Sequence, residues 1–165
     1  MDWQAYSQAV EGLDAVVGYA IKANSNPALL RLLASYGAGA VVVSDHELRL
    51  ALESGFLASR MLLHGNGKRP RDIDSALRAG ILLSVDSEFD LEQISSQAAA
   101  LGVTARLLLR ANTGIDPQVH PYISTGLLDS KFGFAESAIE RLRPRLKTLS
   151  RVEVCGLHCH LGSTL

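Results

Sequence analysis

Short apolar runs rich in Val, Ile and Leu recur along this chain, and helix-patterned stretches closed by glycine separate them. This alternation limits the possible folds more than any other feature. Val16 to Ile21 reads as a first strand. Pro27 to Ser35 reads as a helix with Asn26 as N-cap and Pro27 at its first position, ended by Gly37 and Gly39. The same reading gives strands over Ala40 to Val43, Met61 to Leu63, Ile81 to Val85, Arg106 to Arg110 and Val152 to His158. Helices fall over His46 to Ser54, Pro70 to Ala79, Glu88 to Leu101 and Ala135 to Leu149, with Gly55, Gly80 and Gly102 closing the first three. Pro144 is expected to kink or break the last.

Apolar strands alternating with helices imply an α/β fold with a parallel sheet. Two closures fit: an open doubly wound sheet or a (β/α)8 barrel. No G-x-G-x-x-G follows the first strand, which disfavours a dinucleotide-binding unit. The strands found fall short of the eight a barrel needs. Either the sheet is open or the chain stops before the barrel closes. A chain of 165 residues suits one domain, and 47% apolar with 20% charged residues excludes a disordered chain. A formal net charge of −1 without a basic block excludes a nucleic-acid footprint. No apolar run approaches a membrane span. Met1 to Asp14 carries acids and no Arg, unlike a signal or transit peptide. Cys155 and Cys159 are too few for a disulfide framework, so a reducing compartment is expected, with cytoplasm the default.

Lys22, His64, Arg110 and His160 lie at or just after strand C-terminal ends, the rim where parallel α/β folds bind ligands. In the first strand Val17, Tyr19 and Ile21 share one face, and Gly18, Ala20 and Lys22 the other. Small residues beneath a lysine leave space for a Schiff base, provided a confined site keeps the amine neutral. The same pattern also suits a solvated lysine after an edge strand. His158 and His160 share one face of the last strand, and Cys155 and Cys159 the other. Such an H-x-H serves as half a metal site, as a support for a flat cofactor, or as a core pair satisfied by hydrogen bonds. Gly162-Ser163 offers N–H groups and a hydroxyl to a phosphate or carboxylate. His64 to Lys68 is a glycine-rich turn suited to an anion or to an ordinary loop. Arg110 is open to reading as a surface ion pair.

Five segments carry a resemblance. Tyr19-Ala20-Ile21-Lys22-Ala23-Asn24 is similar to the Y-A-x-K-A-N signature of the fold-type III pyridoxal-phosphate (PLP) decarboxylases. Val43 to Leu48 resembles their V-S-x-x-E-L segment, and His64 to Lys68 their H-G-N-x-K turn. Asp116-Pro117, His120 to Gly126 and Ser130 to Gly133 resemble a stretch typical of the diaminopimelate branch. His158 to Ser163 resembles H-x-H-x-G-S. The motifs stand in the family's order along nearly the whole chain.

The resemblance implies a single PLP-binding domain over residues 1–165: an incomplete (β/α)8 TIM-type barrel of about six strands, without the family's C-terminal β domain. It makes Lys22 the lysine that carries PLP, His160 the histidine stacked on its ring and Ser163 the serine near its phosphate. Arg110 becomes the strand-end arginine near the cofactor, His64 a pocket histidine and Lys131 a lysine near the subunit boundary. The implied reaction is decarboxylation of meso-diaminopimelate to L-lysine by a homodimer, in the cytoplasm, or in the plastid stroma of a photosynthetic eukaryote. The family's glycine-rich phosphate loop, its acid at the pyridine nitrogen and its active-site cysteine have no match here, so the isolated chain is expected to be inactive. Many relatives carry Asp where Val41 stands and Pro where Thr113 stands. Three alternatives remain: a decarboxylase of arginine, ornithine or carboxynorspermidine, a non-catalytic paralogue that binds full-length subunits, and a metal-binding domain using His158 and His160.

Overall fold

The computed structural model describes residues 3–113 and 132–161. They form a six-stranded sheet of β1 (Gly18–Ala20), β2 (Gly39–Val42), β3 (Met61–Leu63), β4 (Leu82–Val85), β5 (Ala105–Ala111) and β6 (Val152–Cys159). Every adjacent pair is parallel, and strand order follows chain order from β1 to β6. The helices are α1 (Trp3–Ala9), α2 (Pro27–Ser35), α3 (Asp45–Glu53), α4 (Pro70–Ala79), α5 (Glu88–Leu101) and α6 (Glu136–Leu146). A doubly wound sheet reverses its strand order partway, which puts helices on both faces. Here nothing reverses, so right-handed crossovers lay successive helices on one face. That is the path of a (β/α)8 barrel wall. Among the described residues, β1 and β6 do not pair.

Alternation along each strand separates two layers. Val42, Leu63, Leu83 and Leu107 are aligned by register across β2 to β5, and all four are fully buried. They join Leu30, Leu48, Ile73, Leu91 and Ile94 from α2 to α5 in one core. Their neighbours Val41, Leu62 and Leu82 align with Ala20 in the opposite layer. Ala20, Val41 and Leu62 line the barrel interior.

Local signals account for most element ends. Asn26 caps α2 by accepting from the Ala28 N–H at 2.9 Å, with Pro27 beginning the helix. Gly80 and Gly102 close α4 and α5 in the left-handed conformation. Four expectations need correction. Gly39 opens β2 instead of ending α2: a Cβ there would lie 2.5 Å from the Arg60 carbonyl oxygen, so glycine permits close strand approach. The first strand is shorter than Val16 to Ile21: it spans only Gly18–Ala20, and Lys22 lies in a 3-10 turn, Ile21–Ala23, just past it, where the rim reading puts it. Pro144 sits inside α6 without ending it, and the helix stops at Leu146. The regular alternation of β6 is interrupted, because the register jumps from Leu107 opposite Val154 to Leu108 opposite Gly156 and leaves Cys155 unmatched. No described helix is long and apolar enough to cross a membrane.

Leu83→Ala empties a site walled by both neighbouring strands and is expected to lower unfolding stability by about 3 kcal/mol. Urea denaturation checks this, and an unchanged midpoint would contradict the layering described.

Candidate active site

The tyrosine and asparagine flanking Lys22 shape its turn. The Tyr19 hydroxyl donates to the Asn24 carbonyl at 3.2 Å, and the Asn24 side chain accepts from the Asn26 N–H at 3.0 Å. On the next strand, Ser44 caps α3 by accepting from the Glu47 N–H. The Glu47 carboxylate in turn accepts from the Val43 N–H at 3.0 Å. Two of the sequence motifs are thus local devices that fix backbone at the rim.

Lys22, His64, Arg110 and His160 line one cavity of about 370 Å³, together with Val43, Gly65, Asn66, Gly67 and Phe132. A second cavity of about 410 Å³ shares Lys22, His64 and His160 with it and adds His158 and the inward residues of β1 to β3. The larger groove of about 490 Å³ between α6 and β6 contains none of the four rim residues. Cavities of these sizes accommodate a small organic ligand. Lys22 itself is exposed, so the described residues confine its amine only in part.

The imidazoles form a cluster. The His158 ring stands edge-on to His64 with centroids 4.5 Å apart, and His160 lies 5.9 Å from His64. Ser84, fully buried on β4, shares a 2.9 Å hydrogen bond with His158 Nδ1. Burial, then the neighbouring His158, pushes the His64 pKa down to about 4. Burial and the Arg110 charge lower His158 and His160, and Lys22 contributes to the depression at His160. All three rings are therefore neutral at neutral pH. The Nδ1 of His64 is buried and has no hydrogen-bond partner among the described residues, a polar atom whose satisfaction a ligand can complete.

For two cations the structure removes one of the alternative readings. Arg110 is not a surface ion pair; it is buried and its Nη1 lies 3.1 Å from Asp86 Oδ1. Lys68 is not free to meet an external anion. Its Nζ is buried against Asp90, Asp86 and the Gly65 carbonyl oxygen at 2.6, 3.2 and 2.6 Å. Sequence reasoning does not reach Ser84, Asp86 and Asp90. Asp86 follows a strand end like the other rim residues, and Ser84 is a hydroxyl inside an apolar strand, so both signals were present. Cys155 and Cys159 are exposed. No three His, Cys, Asp or Glu side chains among the described residues are placed to hold a metal ion. Ser163, Lys131 and the segment from Asp116 to Ser130 lie outside the described residues.

An amine just past β1, a buried guanidinium and uncharged imidazoles on the C-terminal rim of a singly wound parallel sheet define a class: (β/α) barrel proteins with a lysine-lined ligand cavity. A sequence profile described as the pyridoxal-binding domain of pyridoxal-dependent decarboxylases matches residues 1–165. The chain belongs to this family, whose cofactor is PLP. It is 46% identical to the "Probable diaminopimelate decarboxylase, chloroplastic" of rice, covering 99% of this chain and 34% of that protein. The diaminopimelate decarboxylase of Helicobacter pylori complexed with L-lysine superposes with a TM-score of 0.94 at 38% identity, covering 99% of this chain and 42% of that one. The Paramecium bursaria Chlorella virus arginine decarboxylase superposes with a TM-score of 0.80 at 25% identity, again covering 99% and 42%. The chain thus spans well under half the length of these relatives.

The residues present fit PLP: an amine for its aldehyde, a neutral ring for its flat face, a cation for its anionic groups and an unsatisfied imidazole nitrogen. The histidine cluster also carries a pH dependence. His64 titrates near 6.5 when unfolded and about 4 when folded. Between those values the unfolded chain binds more protons, so this contribution to stability falls as the pH drops. Melting temperature is expected to decline more steeply across that interval in the parent than in His64→Gln, and equal slopes would contradict the assignment.

Proposed function

We propose that the natural polypeptide carrying these residues decarboxylates meso-2,6-diaminopimelate to L-lysine. The observation that carries this reading is the convergence of Lys22, His64, Arg110 and His160, from four separate strand ends, on one cavity. When bound, PLP supplies an aldehyde for the substrate amine and an electron sink for the pair left behind by departing CO2. Lys22 would hold the cofactor through its Nζ, and the same Nζ would carry a proton to or from the substrate. His160, kept neutral by its surroundings, would lie against the ring without adding positive charge. Arg110 supplies fixed positive charge, and His64 Nδ1 a hydrogen bond. Ser163 is assigned to the phosphate by its place in the H-x-H-x-G-S motif.

Support for the substrate comes from the relatives' names and from the neighbour that holds L-lysine, the reaction's product. Arginine decarboxylation is the rival, supported by a more distant likeness. The complete protein is proposed to act as a homodimer on this small amino-acid substrate.

Borohydride treatment of the PLP-loaded natural polypeptide, followed by peptide mass mapping, is expected to place the pyridoxyl group on Lys22 and to find none in Lys22→Ala. CO2 release is expected with diaminopimelate and not with arginine, ornithine or carboxynorspermidine. A label on another lysine would refute the site; preference for arginine would refute the substrate.

A further inference from the structure

We propose that Asp86 is a positioning residue that sets the guanidinium of Arg110 at the cavity, and that Lys68 holds Asp86 in that role. The proposal rests on reading the cavity as the cofactor site. Side-chain exposures of Lys68, Asp86 and Arg110 are 1%, 4% and 7%. Burying so many charges carries a large desolvation cost, and apolar residues of similar volume often serve stability as well or better. Stability is thus a weak reason for the cluster, while its geometry suggests a better one.

Asp86 divides its oxygens between two cations: Oδ1 faces Arg110 Nη1 at 3.1 Å and Oδ2 faces Lys68 Nζ at 3.2 Å. Lysine has three donors, and the remaining contacts of Lys68 go to Asp90 and to the Gly65 carbonyl oxygen. Asp90 also accepts from the Asp86 N–H at 3.2 Å. One ammonium therefore ties the turn after His64 to the end of β4 and the start of α5. Through Asp86 the tie reaches the end of β5.

The returning chain completes the clamp. The Gly133 N–H donates to the Asp86 carbonyl at 3.1 Å, and the Phe134 N–H donates to the Arg110 carbonyl at 2.7 Å. Gly133 has φ +83°, and a Cβ there would lie 2.8 Å from the Arg110 carbonyl oxygen. Glycine alone allows this approach. The Arg110 guanidinium carbon lies 5.6 Å from the Phe132 ring centroid. A long side chain that otherwise loses much rotamer entropy on engaging a ligand is oriented before the ligand arrives.

A double-mutant cycle in the complete natural polypeptide tests this, with PLP dissociation constants read by fluorescence. Asp86→Asn is expected to weaken PLP binding roughly tenfold in the parent and less than about twofold in an Arg110→Gln background. Equal losses in both backgrounds overturn the proposal. Leu83→Ala weakens the core without touching the cluster. It is expected to lower the melting temperature with affinity nearly unchanged. A loss of affinity matching that of Asp86→Asn makes the Asp86 effect merely structural and overturns the proposal. Should Asp86→Asn fail to fold, nitrogen NMR of the parent without cofactor decides. Separate, slowly exchanging Nη signals for Arg110 support the clamp, and averaged signals refute it. A missing borohydride label on Lys22 counts against the cofactor site itself, whereas a label together with an additive cycle sinks only the positioning role.

Discussion

Parallel pairing in unbroken strand order is the constraint on which the rest of this molecule depends. Each parallel strand ends at the same edge of the sheet, and in-register pairing aligns residues of equal parity across strands. Side chains from distant parts of the sequence therefore meet without any loop having to carry them. Arg110 stands opposite His158 by register, and the Lys22 turn follows directly on β1. The helix-facing row of Val42, Leu63, Leu83 and Leu107 supplies the apolar burial that fixes this register. A shift by one residue would turn that row inward and the rim residues outward.

The second organising feature is how charge is distributed at the rim. Cations are either committed to carboxylates, as in Lys68 and Arg110, or placed at the mouth, as in Lys22. The imidazoles beside them lose their protons because burial and adjacent positive charge both disfavour the charged form. The outcome is a cavity whose flat side chains are neutral and whose positive groups are fixed. That environment suits an anionic aromatic cofactor.

Much of this was legible in the sequence. Short apolar runs, the cap at Asn26 and glycine stops at Gly80 and Gly102 mark the elements, because these signals are local. The rim rule points to Lys22, His64, Arg110 and His160, and they share a cavity. What the sequence did not show depends on non-local pairing. Asp86 and Lys68 are eighteen residues apart, and nothing in their spacing marks them as a buried pair. The choice between doubly wound and barrel topologies needed strand order, which apolar pattern does not encode. Gly39 looked like a helix stop because its true cause, the Arg60 backbone across β2 and β3, is a tertiary contact.

A crystal structure of the natural polypeptide with PLP tests the central claim most directly. The account expects continuous density from Lys22 Nζ to the cofactor's aldehyde carbon, with His160 against the ring and Arg110 still paired to Asp86. Cofactor density joined to another lysine, or seated in the groove between α6 and β6, would contradict it.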